Sequence, residues 1–355
     1  MDLRLDSVLR DAVNSVQANA TAPLYALPTA VRRRLAGAPI QIDGNTLDPD
    51  VQLLLRIDNL LPHTTKTDAA TTRTRFRNLL KLVPGTPPQV QRVTDLTVRG
   101  AAGQLGARLY VPADAGLGLL VFFHGGGWVV GDLDTHDALC RTMAAEAGIR
   151  VLSVDYSLAP EAPAPTAAED AIAAFTWAVE HAEDLGVDPA LVAVGGDSAG
   201  GNLAAVVAQQ TVRRGLPVPA LQVLLYPAVD LVARRPSRDL FSEGFILTEE
   251  DIIWYRDLYT PDPKLRPDPI VSPLRADDLT GLPPTYLTTG GFDPLRDEGL
   301  EYAQALTKAG NNLTHAHHPT LPHGYANLLT IPGPTRQAHS HLTNHLRNTL
   351  HQPCG

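Results

Sequence analysis

The chain has 355 residues, of which 44% are hydrophobic and 19% are charged. This composition supplies enough apolar surface for a folded core, and it excludes a disordered or collagen-like chain. With 29 Lys and Arg against 38 Asp and Glu, the formal net charge is -9. Because the average field repels a phosphate backbone, nucleic acid is not an expected partner.

The number of cysteines and the lengths of the apolar runs indicate the cellular location of the protein. Cys140 and Cys354 lie far apart and match neither a disulfide framework nor a metal-ligand spacing. The first residues mix acids and arginines with apolar residues, unlike a secretory signal, and no apolar run approaches the roughly 20 residues that cross a bilayer. We therefore expect a soluble, cytoplasmic protein without a membrane span. The sequence leaves the oligomeric state open, with a homodimer as one alternative.

The first ninety residues carry helical periodicity. Apolar residues recur at helical spacing between Leu5 and Val16, and again at Val51, Leu54, Leu55 and Leu61. This segment is therefore predicted to be helical and to lack strands.

Strands and helices alternate in the part of the chain that follows. Short apolar or β-branched runs predict eight strands, at 93–98, 107–111, 119–123, 150–156, 191–196, 221–226, 284–289 and 312–318. Helical patterns separate the later strands, after Asp134, through Ile172, after Ser198, and from Leu295 to Ala309. This alternation predicts an α/β sandwich with a mostly parallel sheet that helices cover on both faces.

A proline-rich stretch and an insertion define the predicted domains. Pro84, Gly85, Pro87 and Pro88 break the helical pattern, which predicts a helical cap segment over 1–90 and a catalytic domain over 91–355.

The insertion lies near 230–260. Within it, Thr248 precedes Glu250 and Asp251 and is typical of a helix N-cap, so this helix is predicted to contribute to a lid. The sequence leaves open whether Trp254 and Tyr255 line a pocket or only pack the lid helix.

The segment GGDSAGG (195–201) follows an apolar strand and opens a helix, and it contains a GxSxG pattern centred on Ser198. Small residues on both sides allow the sharp turn that exposes a nucleophilic hydroxyl at the carboxyl edge of a sheet. The pattern alone arises by chance in roughly one chain in twenty, and a glycine-rich helix start that binds an anion is the alternative. The strand, turn and helix around Ser198 favour the nucleophile.

A glycine run follows the strand at 119–123. The segment HGGGW (124–128) places three consecutive glycines where backbone N–H groups are unobstructed. Such a loop can hold an oxyanion, whereas a flexible turn is the alternative.

A serine nucleophile needs a base and an acid that orients the base. His323 is the candidate base because it lies in a loop after the last strand, and Asp293 is the candidate acid because it ends the preceding strand. Asp297 and Glu298 are rival acids, but they lie in the first turn of a helix, where carboxylates stabilise the dipole.

The histidine-rich stretch at 315–323 and Asp197 are not interpreted as a second functional site. The histidine-rich stretch at 315–323 has no accompanying cysteine or carboxylate cluster, so we expect no metal there. Asp197, next to the candidate nucleophile, is interpreted as structural.

Six motifs in this order resemble the hormone-sensitive lipase family of α/β-hydrolase carboxylesterases. They are HGGGW (124–128), DYSLAPE (155–161), GDSAGGN (196–202), SPL (272–274), GFDPLRDEG (291–299) and HGY (323–325). The resemblance spans 90–330 and implies an α/β-hydrolase fold with an eight-stranded, mostly parallel sheet and a helical cap. One departure is Ser157, where the family usually carries Arg, and it concerns a supporting turn.

The resemblance also implies an activity and its residues. It implies a serine carboxylesterase that hydrolyses short to medium acyl esters through an acyl-enzyme and needs neither cofactor nor metal. Its implied residues are Ser198 as nucleophile, His323 as base, Asp293 as acid, and the N–H groups of Gly126, Gly127 and Ala199 as oxyanion donors. An amidase or peptidase with the same residues remains an alternative, as does a ligand-binding protein without catalysis.

Overall fold

Residues 22–58, 68–82 and 87–351 are described by a computed structural model of the chain. The helix predicted between Leu5 and Val16 lies outside these residues, as do Leu61, Cys354 and part of the proline-rich boundary.

The described part of the N-terminal segment contains four helices and a short hairpin. In chain order these are α1 (Ala22–Tyr25), α2 (Thr29–Ala36), β1 (Gln41–Ile42), β2 (Asn45–Thr46), α3 (Pro49–Asp58) and α4 (Ala69–Leu82). The predicted helix through Val51 is confirmed as α3, and Val51 and Leu55 are buried.

The prediction that this segment lacks strands is wrong. Strands β1 and β2 pair in antiparallel fashion around Asp43 and Gly44, whose φ angles are 53° and 76°. Two successive residues with positive φ form the tight turn whose twist matches that of a hairpin, and Asp-Gly is a favoured pair for it. Each strand is only two residues long, so the apolar alternation that predicts longer strands is missing.

A twisted sheet of eight strands forms the centre of the catalytic domain. Its strands are β3 (Arg92–Arg99), β4 (Gln104–Val111), β5 (Leu119–Phe123), β6 (Arg150–Val154), β7 (Val192–Asp197), β8 (Gln222–Leu225), β9 (Thr285–Phe292) and β10 (Leu313–Pro322). The spatial order is β10-β9-β8-β7-β5-β6-β4-β3. Strand β4 is antiparallel to both of its neighbours, and the other neighbouring pairs are parallel. The eight predicted strands are confirmed.

Eight further helices accompany the sheet. They are α5 (Asp137–Ala147), α6 (Thr166–Glu180), α7 (Ala182–Leu185), α8 (Ala199–Arg214), α9 (Pro236–Leu240), α10 (Glu249–Tyr259), α11 (Arg296–Lys308) and α12 (Pro334–Leu350). Short 3₁₀ turns lie at Pro189–Leu191, Pro263–Leu265, Pro273–Arg275 and Tyr325–Asn327. The four helices predicted between strands are confirmed, whereas α12 was not predicted.

Strand β5 shows why both faces of the sheet are covered. Leu119, Val121 and Phe123 pack in one buried cluster with helices α6, α8 and α11, whereas Leu120 and Phe122 pack in a second cluster with α5 and α12. Because successive side chains of a strand point to opposite faces, a strand covered on both faces is apolar at every position.

The insertion after β8 contains α9 and α10. Thr248 caps α10 as predicted, since its hydroxyl accepts a hydrogen bond from the Asp251 N–H at 3.0 Å and the Asp251 carboxylate accepts one from the Thr248 N–H at 3.0 Å. This reciprocal pair of bonds satisfies two backbone donors that a helix start leaves open.

Candidate active site

Ser198 lies in the turn between β7 and α8. Its φ of 55° and ψ of -115° belong to neither element, so the strand reverses into the helix within one residue. The close approach requires glycine at position 200, because a Cβ there would lie 1.9 Å from the carbonyl oxygen of Phe123 on the neighbouring strand. A residue held in such a rarely populated conformation exposes its side chain at the strand end.

His323 and Asp293 follow the carboxyl ends of the neighbouring strands β10 and β9. The His323 Nε2 lies 2.9 Å from the Ser198 Oγ, and the His323 Nδ1 lies 2.8 Å from the Asp293 Oδ2. Asp293 is fully buried, and its other oxygen accepts a hydrogen bond from the Leu295 N–H at 2.7 Å. With the Nδ1 proton directed at the carboxylate, the Nε2 lone pair faces the serine hydroxyl.

The two rival carboxylates, Asp297 and Glu298, accept hydrogen bonds from backbone N–H groups outside the Ser198–His323 pair. Asp297 accepts a hydrogen bond from the Ser237 N–H at 2.8 Å, and Glu298 accepts one from the Val229 N–H at 2.7 Å. Glu298 is 2% exposed, and burial raises its pKa from 4.5 to about 8. Both residues lie in the first turn of α11, as predicted, but Glu298 is buried there and its carboxyl group supports the loop after β8.

The glycine loop lies beside Ser198 on the same cavity. Gly127 has a φ of 59°, and a Cβ on it would lie 2.2 Å from the ring of Tyr255 on α10, so this position requires glycine. Among the residues that the structure describes, the backbone N–H groups of Gly126, Gly127 and Ala199 donate to no hydrogen-bond acceptor. All three residues line the cavity that contains Ser198. These N–H groups therefore remain free for a ligand.

Asp197 connects the serine turn to the glycine loop. Its Oδ1 accepts a hydrogen bond from the Gly125 N–H at 2.8 Å and lies 3.2 Å from the His136 Nε2. Its Oδ2 accepts a hydrogen bond from the Asn327 side chain at 3.3 Å. Burial alone would raise the pKa of Asp197, but the nearby His136 and the Gly125 N–H lower it below its usual value. The carboxylate is therefore charged where it holds the loop. No sequence pattern predicted that His136 lies beside the Asp197 carboxylate.

The loop also rests on a buried imidazole. His124 is fully buried, and its Nδ1 lies 2.8 Å from the carbonyl oxygen of Gly125. Burial lowers the pKa of His124 to about 4, so the ring is neutral at neutral pH. Tyr156 stacks on this ring at a centroid distance of 4.4 Å and donates a hydrogen bond to the His124 carbonyl.

The cavity over Ser198 has a volume of about 300 Å³. Its apolar wall comes from the N-terminal segment and the insertion as well as from the catalytic domain: Leu54, Leu55, Phe76, Leu79, Leu80, Trp128, Leu231, Ile246, Leu247, Ile252, Tyr255, Leu295 and Leu328. Tyr255 is thus a cavity residue, whereas Trp254 packs against the buried cluster of the first sheet face. The ionisable side chains on this wall that were not predicted as cavity residues are Asp230, Arg238, Asp251, Arg256 and Glu298.

The chain also matches the model of a known protein family. The family model for the α/β hydrolase fold matches residues 120–327, which is more than half of the chain. The chain belongs to this hormone-sensitive lipase-like family of α/β hydrolases. The predicted family and the predicted fold are both confirmed.

Relatives within the α/β hydrolase family are ester hydrolases. Carboxylic ester hydrolase LipN of Mycobacterium tuberculosis is 48% identical over 91% of this chain and 89% of its own length. Ethyl acetate hydrolase of Pseudomonas putida is 37% identical over 81% of this chain and 94% of its own. The hyperthermophilic esterase from Pyrobaculum calidifontis is similar in structure with a TM-score of 0.81, at 38% identity over 85% of this chain and 98% of the other. The predicted class, a carboxylic ester hydrolase that acts on small-molecule esters, is confirmed.

Within the described residues, no three His, Cys, Asp or Glu side chains are grouped so that they could hold a metal ion. In the same part of the chain, no helix combines the length and the apolar character needed to cross a bilayer.

Proposed function

We propose that Ser198 is the nucleophile of this esterase, His323 its general base and Asp293 the acid that orients the base. The distance of 2.9 Å between the Ser198 Oγ and the His323 Nε2 carries this proposal. A serine hydroxyl is a weak nucleophile unless a base removes its proton, and the base needs a fixed tautomer. The hydrogen bond from His323 Nδ1 to Asp293 supports that tautomer.

The proposed reaction passes through an acyl-enzyme. His323 takes the proton of Ser198 as the Oγ attacks the ester carbonyl, and the proton then passes to the leaving alcohol. Water activated by the same histidine releases the acid and restores the serine. The free N–H groups of Gly126, Gly127 and Ala199 are the proposed donors to the negative oxygen, each worth about 3 kcal/mol of the barrier.

The cavity supports a small acyl substrate. A volume of about 300 Å³ lies at the small end of ligand pockets, and a mostly leucine-lined wall suits an aliphatic chain. We infer that the substrates are esters of short to medium acyl chains.

The cap is proposed to comprise residues 1–90 and the insertion near 230–260. In support, Leu54 and Leu79 from the first segment and Tyr255 from the second line the cavity above Ser198. The choice among acyl chains would then depend on these two segments. A cytoplasmic location, the absence of nucleic-acid partners and a homodimer stay predictions from the sequence.

Substitution Ser198→Ala tests the assignment of the nucleophile. We expect turnover of p-nitrophenyl butyrate to fall by a factor on the order of 10⁴ or more, because neither His323 nor Asp293 can replace the hydroxyl as nucleophile. An organophosphate should label the wild type at Ser198 and leave the variant unlabelled, which mass spectrometry detects.

The matched control is Ser340→Ala, which removes an exposed hydroxyl from α12. This variant should keep wild-type turnover, and circular dichroism should show both variants folded. Turnover retained by a folded Ser198→Ala variant would contradict the proposal.

A further inference from the structure

Arg238 is an arginine buried in the wall of the ester cavity. It lies on α9, is 4% exposed, and lines the same cavity as Ser198. Its Nε donates a hydrogen bond to the Glu249 Oε2 at 2.6 Å, which fixes the guanidinium against the start of α10. Its two terminal nitrogens donate no hydrogen bond to any residue that the structure describes, although each could donate two.

The other charged groups on this wall are occupied by partners. Asp230 accepts hydrogen bonds from Arg235 at 3.0 Å and from Arg275 at 2.7 Å. The Asp251 carboxylate belongs to the capping box of α10, and the Arg256 guanidinium lies against Asp257 at 2.9 Å. The Arg256 side chain is 23% exposed and has one terminal nitrogen bound, whereas the Arg238 side chain is 5% exposed and has neither terminal nitrogen bound to a described residue. Arg238 is therefore the more deeply buried of the two arginines and has more unused donors.

Glu298 lies on the same wall and faces the charges of Arg235 and Arg238. Because burial raises its pKa to about 8, Glu298 is mostly protonated at neutral pH and does not neutralise Arg238. The remaining counter-charge is Glu249, which is shared with Arg234 at 3.1 Å. The two terminal nitrogens of Arg238 thus have no hydrogen-bond acceptor among the described residues.

We propose that Arg238 forms a subsite for a carboxylate carried by the substrate, so that the enzyme accepts monoesters of short dicarboxylic acids. The inference rests on the proposed function, since it places the subsite in the cavity of Ser198. The planar fork of a guanidinium matches a carboxylate through two parallel hydrogen bonds. An apolar chain in the same place would leave buried donors unpaired, so the site distinguishes the two kinds of substrate.

The test compares matched pairs of ethyl esters. Monoethyl succinate is paired with ethyl 4-methylpentanoate, in which an isopropyl group of similar shape replaces the carboxylate. The glutarate and adipate monoesters are paired in the same way, because the chain length that reaches Arg238 is set by the cavity. The readout is the ratio of kcat/KM within each pair, followed as ethanol release.

Replacement of Arg238 by an apolar side chain should change this ratio. In Arg238→Met, the ratio of acidic to isopropyl ester should fall by about 10-fold to 100-fold for the best of the three pairs, which corresponds to the loss of a hydrogen-bonded charge pair. Arg238→Lys keeps the charge without the fork and should lose less. Arg238→Gln provides the same comparison if the Met variant does not fold, as judged by circular dichroism.

Two further variants separate the inference from its rivals. Arg214→Met removes an arginine that pairs with Glu169 on the surface, and it should leave every ratio unchanged. A ratio that falls in Arg256→Met instead of Arg238→Met would overturn the assignment to Arg238. Unchanged ratios in all folded Arg238 variants would overturn the carboxylate subsite itself. Ser198→Ala, assayed on the isopropyl esters, reports on the proposed function independently of either result.

Discussion

Gly125 donates its backbone N–H to the carboxylate of Asp197, the residue directly before Ser198. One buried side chain therefore sets the distance between the serine turn and the loop that bears the free N–H groups. His136, at the start of α5, lies on the other side of this carboxylate. Oxyanion donors act through their position, so a group that holds their loop contributes to the rate without contacting substrate.

Substitution Asp197→Asn tests this positioning. The amide keeps the shape and an oxygen for the Gly125 N–H, but it loses the charge that strengthens that bond and faces His136. We expect kcat on p-nitrophenyl butyrate to fall about 10-fold to 100-fold, an effect of roughly 1.5 to 3 kcal/mol, with a smaller change in KM.

The control for this substitution is Asp95→Asn, which removes an exposed carboxylate paired with Arg108 on the surface. It should leave both kinetic constants unchanged. A rise in KM at constant kcat for Asp197→Asn would contradict a role in positioning the oxyanion donors.

Among the secondary-structure elements, α12 shows where sequence patterns fail. Its buried residues include Ala338, Leu342, Leu346 and Leu350, which repeat every fourth position and form a narrow stripe. The intervening residues are His, Ser, Thr, Asn and Arg, so mean hydropathy is low and the helix was not predicted. Strand β5 is the opposite case, since five consecutive apolar residues before a glycine run can be recognised without any neighbour.

Leu346→Ala measures what the α12 stripe contributes. Leu346 is fully buried in the cluster on the second face of the sheet, so its truncation leaves a cavity. We expect the free energy of unfolding in urea to fall by about 2 to 5 kcal/mol. Asn348→Ala, at an exposed position of the same helix, should change it by less than about 0.5 kcal/mol. A similar small change for Leu346→Ala would show that α12 does not stabilise the domain.

On the scale of the whole molecule, residues distant in sequence meet at the carboxyl edge of the sheet. The positions of Ser198, Asp293 and His323 could be predicted because each directly follows a recognisable strand. The places of Arg238 and Glu298 on the cavity wall could not be predicted, since they depend on the packing of α9 against α11. There the Ser237 N–H donates a hydrogen bond to the Asp297 carboxylate. The sequence pattern of a single segment does not show which residues of another segment it contacts. The roles of the three predicted residues stay predictions until the variants are assayed.

Glu298 links this edge of the molecule to pH. Its carboxyl group accepts hydrogen bonds from the N–H groups of Val229 and Asp230. The charges of Arg235 and Arg238 lower its pKa, and the Asp230 carboxylate raises it, but burial has the larger effect. In the unfolded chain the group loses its proton above about pH 4.5, whereas burial keeps it protonated up to about pH 8 in the folded state. The folded state therefore holds more protons in this window.

It follows that wild-type stability decreases through this group as the pH rises from about 4.5 to about 8, with a slope of up to about 1.4 kcal/mol per pH unit. Glu298→Gln has no proton to lose and keeps an oxygen for the Val229 N–H, so its stability relative to wild type should increase with pH across the window. Urea unfolding of both proteins at a series of pH values measures this difference, from which all other titrating groups cancel to first order. A difference that stays constant, or that shrinks as the pH rises, would mean that Glu298 is already ionised in the folded protein, and Arg238 would then face a second negative charge.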